Sequence, residues 1–91
     1  MRSVSVLMTD RAKRDLRSLD ARTARRILEK VETYARSQNP LRHAKPLKSV
    51  FEGLYRFRIG EYRVIFRSDR DGKLAILLIL RIGHRKDIYQ R

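Results

Sequence analysis

The sequence predicts an α+β domain in which a two-helix hairpin lies on one face of a small, mainly antiparallel β-sheet. Three observations lead there. Residues 54–67 alternate between apolar and basic side chains around a Gly-Glu turn; residues 9–38 hold two capped runs at helical spacing; and Leu74 to Ile82 is apolar on both faces. At 91 residues the chain is one domain, 1–91, with a single thin core.

Ser3 to Met8, with Val4, Val6, Leu7 and Met8, is long enough for a strand and too short for a helix. Thr9 or Asp10 then caps a helix whose apolar positions Ala12, Leu16 and Leu19 share one face. Asp20 is a second cap. From Ala21 the positions Ala24, Ile27, Leu28, Val31, Tyr34 and Ala35 repeat at helical spacing until Gln38-Asn39-Pro40 stops them, so the helices form a tight hairpin. Arg25 with Glu29, and Glu32 with Arg36, are spaced to pair on the wet side. Residues 39–53 hold both prolines and no periodicity, which reads as a loop with a strand-like turn at Val50-Phe51.

The alternating stretch Leu54-Tyr55-Arg56-Phe57-Arg58-Ile59-Gly60-Glu61-Tyr62-Arg63-Val64-Ile65-Phe66-Arg67 is a β-hairpin. Gly60 at the first central position suits a type II′ turn and fixes the register. Ile59 then faces Tyr62, Phe57 faces Val64 and Tyr55 faces Phe66, so that surface is the core side. The other surface is basic, with Arg58 opposite Arg63, Arg56 opposite Ile65 and Arg67 opposite Leu54. Like charges opposed across a ladder are unfavourable by up to about 1 kcal/mol, and a bound anion would relieve them. Ser68-Asp69-Arg70-Asp71-Gly72 reads as a turn. Leu74 to Ile82 belongs in the sheet interior, beside the second hairpin strand and the N-terminal strand, and Gly83 ends it.

Lysine and arginine total 23 against 10 acidic residues, a net charge of +13 that calls for an anionic partner. Nucleic acid is the first candidate and an acidic protein the second. A membrane is disfavoured because the longest apolar run, Leu74 to Leu80, is too short to span a bilayer. The N-terminus lacks the apolar core of a signal peptide, which makes the cytoplasm the expected location. With no cysteine there is no disulfide, thiol nucleophile or cysteine metal site, and two histidines make zinc improbable. Asp69 and Asp71 flank a turn, where aspartate serves the backbone. No metal or cofactor is expected. On the residues alone the arginine face is a basic patch.

Two segments resemble the RelE/ParE superfamily of toxins from bacterial and archaeal toxin-antitoxin pairs, and its RelE mRNA interferase branch above all. Leu47-Lys48 and Gly53 to Phe66 look like the family's central hairpin, and Ile82-Gly83-His84-Arg85-Lys86-Asp87-Ile88-Tyr89 looks like its C-terminal signature. The resemblance implies a toxin that cleaves mRNA in the 30S A site of the ribosome without a metal. It also implies a free monomer, inhibited as a hetero-oligomer by a cognate antitoxin protein. Such cleavage uses the 2′-hydroxyl as internal nucleophile. It needs a group to take that proton, charge on the phosphorane and a donor for the departing 5′-oxygen.

By the same resemblance Arg56 and Arg58 lie near the reacting 2′-oxygen, Arg63 holds the scissile phosphate and Arg85 lies near the leaving group. Tyr89 stacks on a base or orients the nucleophile. The hairpin register independently puts Arg56, Arg58 and Arg63 on one open surface. The sequence departs from well-known RelE proteins, which carry lysines where it has Arg56 and Arg58. Arginine stays protonated, so the general base is open, and His84 is a substitute or a proton donor. Two other functions fit the same fold: a ParE-type inhibitor of DNA gyrase that is not a nuclease, and an inactive RNA-binding relative.

Overall fold

The computed structural model describes residues 3–47, 53–71 and 74–88. The order is β1 (Ser3–Met8), α1 (Asp10–Arg17), α2 (Ala21–Arg36), a 3₁₀ turn (Pro40–His43), β2 (Ala44–Pro46), β3 (Leu54–Ile59), β4 (Tyr62–Asp71) and β5 (Leu74–His84). They build one mixed sheet in the order β1-β5-β4-β3-β2, with β1 parallel to β5 and the other pairs antiparallel. The N-terminal strand, helical hairpin and interior apolar strand fall where the sequence predicts them. No helix among the described residues is long and apolar enough to cross a membrane.

Both helices start on the expected caps. Thr9 Oγ1 accepts from the Ala12 N–H at 3.1 Å, and the Asp20 carboxylate accepts from the Thr23 N–H at 3.1 Å. Hydrogen bonds from the Thr23 side chain and backbone hold Asp20 below its ordinary pKa. What this cap contributes is therefore present above the usual carboxylate range and is lost as pH falls through the lowered value. Of the two expected i,i+4 pairs, Glu32 and Arg36 close at 2.6 Å.

Ala12, Ile27, Val31 and Ala35 of the helices pack on Phe57, Ile59, Val64, Phe66, Leu77, Ile79 and Ile82 of the sheet. The Phe57 and Phe66 rings stack at 4.3 Å, and Tyr34 meets Phe57 at 5.0 Å. The hairpin register is the predicted one throughout, from Leu54 opposite Arg67 to Ile59 opposite Tyr62.

Three elements differ from the expectation. The segment after α2 contains the 3₁₀ turn and the edge strand β2, paired with β3 from Ala44–Phe57 to Pro46–Tyr55. Proline is tolerated there because an edge strand does not need every N–H. Val50 and Phe51 lie outside the described residues. The polar run from Ser68 stays in β4 as far as Asp71, because the neighbouring β5 supplies partners up to Leu74. Finally, β5 runs through Gly83 to His84.

Where β5 outruns β1, helix α1 takes over the sheet edge. The last β1–β5 pair is Met8–Ile79; there the β4–β5 register slips, so Phe66 pairs with Ile79 and Ile65 with Arg81. The Thr9 hydroxyl donates to the Leu80 carbonyl at 3.1 Å, and its N–H to Ile79 O at 3.0 Å. Beyond, Asp15 Oδ2 accepts from the Ile82 N–H at 3.0 Å and from Arg81 Nε at 2.8 Å, while Arg11 Nε lies 3.4 Å from Oδ1. A carboxylate thus takes the place of a missing strand partner.

The face away from the helices carries buried apolar residues of its own. Ile65 and Ile88 are buried yet stand outside the main core. Ile88 arrives through the turn at 85–88, closed by its N–H to His84 O at 2.9 Å, and sits on Gly83, where a Cβ would come within 3.1 Å of its Cδ1.

Two stability changes follow. Asp15→Ala should lower the unfolding free energy by about 2–3 kcal/mol, since it strands the Ile82 N–H and a charge-assisted bond, and Asp15→Asn should cost less. Ile88→Ala should cost about 2 kcal/mol. Urea unfolding followed by circular dichroism checks both.

Candidate active site at the hairpin turn

The β3–β4 hairpin and the end of β5 converge on the two-residue turn Gly60-Glu61. Gly60 has φ +59°, the left-handed backbone that the turn's first central position requires. On the face away from the helices, Arg58 stands opposite Arg63, and Arg56 lies between Lys45 of β2 and Ile65 of β4. Arg58 is exposed and Arg56 half-buried.

Arg63 is where the open-surface expectation fails. It is 7% exposed, and its Nη1 donates to the carbonyls of Gly60 and Tyr62 at 2.9 Å each. The cause is local chemistry plus cover. The side chain folds back to the turn, and its direct cross-strand neighbour is Gly83, which leaves room for Ile88 to pack there. Arg58 and Arg63 are therefore neighbours in register but not in environment: one meets water, the other meets carbonyl oxygens.

Arg85 joins from the end of β5. Its N–H donates to the Glu61 carbonyl at 2.8 Å, and its Nε lies 2.6 Å from Glu61 Oε2, with both side chains more than half exposed. Such a pair in water is worth between nothing and about 1 kcal/mol, so the guanidinium exchanges partners at little cost. Glu61, which the sequence reading treated only as a turn residue, is thus part of the site.

His84 sits elsewhere than its neighbour. It pairs with Tyr62, and the two rings meet edge-on at 5.6 Å on the side of the sheet where Tyr62 packs against the core. Arg63 and Gly83, one step away in the ladder, point to the opposite face. His84 Nδ1 accepts from the Lys86 N–H at 3.1 Å, so the neutral ring carries its proton on Nε2 and offers a donor there. Tyr89 lies outside the described residues.

A further arginine reaches the turn from the helices: Arg26 of α2 places Nη2 3.2 Å from where a Gly60 Cβ would stand. No periodicity signals this, because it depends on how α2 lies on the sheet. Among the described residues no group of three or more His, Asp or Glu side chains is placed to hold a metal ion, and Asp69 Oδ1 accepts the Arg70 N–H at 2.8 Å. What the arrangement offers is positive charge: guanidiniums at one end of a rigid sheet, suited to bidentate contact with phosphate.

The family described as ParE toxin of type II toxin-antitoxin system, parDE, matches residues 6–89. The chain is 39% identical over 90 residues to Toxin RelG of Mycobacterium tuberculosis, covering 96% of this chain and 97% of that one. Among solved structures it is similar to the RelBE toxin-antitoxin complex from M. tuberculosis, with TM-score 0.74 and 33% identity over 92% of this chain and 98% of that chain. The archaeal RelE-RelB complex from Pyrococcus horikoshii gives TM-score 0.70 and 26% identity, covering 96% and 99%. A match across nearly the whole length places this chain in the RelE/ParE superfamily of toxins of type II toxin-antitoxin systems.

Proposed function

We propose that this toxin is a metal-independent endoribonuclease of the RelE type, which cuts mRNA in the ribosomal A site and so stops translation. The observation that carries the reading is the meeting of Arg63 and Arg85 at the Gly60-Glu61 turn, with Arg58 opposite Arg63 in the ladder and Arg56 two residues before Arg58 on β3. The substrate's 2′-oxygen attacks the adjacent phosphorus, the P–O5′ bond breaks, and a 2′,3′-cyclic phosphate and a 5′-hydroxyl remain. Arg58 and Arg85 stabilise the charge on the phosphorane, and Arg63 serves with them once it is drawn from the turn carbonyls. Tyr89 follows the C-terminal turn and orients the substrate.

Arginines stay protonated, so they act through charge rather than as bases. Their field favours ionisation of the 2′-hydroxyl, whose proton leaves to water, and the departing 5′-oxygen takes a proton from water. The toxin acts in the cytoplasm as a single domain, and a cognate antitoxin segment covers the basic face or packs on the helices. Support for that partner comes from relatives solved as toxin-antitoxin complexes.

A second reading has its own support: the matching family is described by ParE and parDE. On that reading the same scaffold inhibits DNA gyrase and cuts nothing.

Primer extension on a message under translation in a purified system separates the two. Codon-phased cuts are expected from the wild type, reduced about 10²–10³-fold by Arg85→Ala, the range seen when a charge-stabilising donor is lost. No cuts from a folded wild type, together with gyrase poisoning, would favour the second reading. In single turnover the rate should keep rising between about pH 6 and 9, since arginine does not titrate there. A plateau within that range would instead mean that a titrating group of the protein takes the proton.

A further inference from the structure

Past the end of α2 the chain sets an aromatic ring at the surface. Asn39-Pro40 stops the helix, and the 3₁₀ turn closes with the Arg42 N–H on the Asn39 carbonyl at 3.0 Å and the Ala44 N–H on the Leu41 carbonyl. The turn brings His43 back to α2, where its ring stacks on Tyr34 with centroids 4.6 Å apart and planes 15° from parallel. Tyr34 meets Phe57 in turn at 5.0 Å, and Phe57 is fully buried. The stack is thus braced on the core. Among the described residues His43 is the one exposed ring; the others are buried or half-buried.

A ring already held in place lowers the ordering cost that a partner would otherwise meet. Its surroundings are cationic. Arg42 precedes it and Lys45 follows two residues on, both exposed, and Lys30 of α2 places Nζ 5.7 Å from the centre of the Tyr34 ring. None of the three forms a salt bridge among the described residues.

Position ties the stack to the arginines of the hairpin. Ala44 pairs with Phe57, so His43 immediately precedes that rung on the β2 side and Arg58 immediately follows it on β3. Consecutive Cα atoms are about 3.8 Å apart and paired ones at most about 5.5 Å, so the Cα atoms of His43 and Arg58 lie within about 13 Å. About four stacked nucleotides cover that distance, at about 3.4 Å each along a strand, and an extended strand needs fewer. His43 turns toward α2 and Arg58 toward the other face, with β2 at the sheet edge between them and open water.

We propose that His43, on its Tyr34 support, is a stacking site for a base of a single-stranded nucleic acid, with Arg42 and Lys45 beside it for the phosphates. That the strand is the mRNA whose phosphate meets Arg58 rests on the nuclease reading above; the stacking site itself does not. Every base has a π-face, so the site steadies the strand at a second point without reading its sequence. An acidic peptide would use the charges and leave the ring without a partner of its own kind.

The test titrates the full chain with a 2′-O-methyl RNA hexamer, which has no free 2′-hydroxyl to attack its own phosphates, and with an abasic strand of the same length and charge. Affinity is read by fluorescence anisotropy, and the His43 ring protons are followed by NMR. Those protons should move upfield with the base-bearing strand and stay in place with the abasic one. His43→Ala should weaken the base-bearing strand about fivefold to a hundredfold, change the abasic strand less than about twofold, and leave the salt dependence as it was. His43→Phe should restore the binding.

Equal loss on both strands, or no loss on the base-bearing one, would overturn the stacking site. So would a hexaglutamate peptide that moves the same ring protons and loses as much affinity to His43→Ala. Stacking that depends on His43, with no codon-phased cuts from the wild type on translated message, would uphold the site and reject the nuclease reading alone.

Discussion

Arg58 and Arg63 face each other across the β3–β4 ladder, and much of the molecule's chemistry depends on how that opposition is resolved. Like charges opposed across a ladder are unfavourable by up to about 1 kcal/mol. The register cannot slip to avoid them, because a shift of one residue would turn Phe57, Val64 and Phe66 out of the core. The fold instead gives the two arginines different surroundings. Arg63 is buried and satisfies Nη1 on two backbone carbonyls, and Arg58 keeps its water. The hairpin is thus stable without an anion, yet one end of it is loaded with positive charge.

That loading is supported from behind by features with no charge to spare. The interior strand β5 carries Arg85 to the turn, and its free edge is closed by Thr9 and Asp15 of the N-terminal half. Gly83 and Ile88 close the opposite face over Arg63's strand. Stability and site are separable here: the core is helix against sheet, while the cationic groups lie at the sheet's end. A surface cation contributes little to folding, which leaves the arginines free to be selected for what they bind.

The parts of this arrangement that follow from short-range rules were legible in the sequence. A period of two around a glycine turn gave the hairpin register, pair by pair, and the caps Thr9 and Asp20 gave the helix starts. An apolar run on both faces placed β5 in the interior. Strand β2 was hidden because three residues hold no measurable period, and the polar end of β4 because its pairing is imposed by β5. The burial of Arg63 was not legible because its side chain folds back onto the carbonyls of Gly60 and Tyr62, which no spacing signals. The side of His84 was readable by parity, had the strand been carried through Gly83: Ile82 faces the core, and His84, two residues on, faces the same way. Glu61 and Arg26 had no signal, since both act through tertiary approach to the turn.

The central claim is that fixed positive charge at the hairpin turn drives attack by RNA's own 2′-oxygen. The most direct measurement is the end chemistry of the fragments released from a message under translation by the wild-type chain. A 2′,3′-cyclic phosphate, or the phosphate it hydrolyses to, with a 5′-hydroxyl on the downstream fragment, is the predicted result. A 3′-hydroxyl with a 5′-phosphate would mean that water, not the 2′-oxygen, was the nucleophile, and would contradict the account.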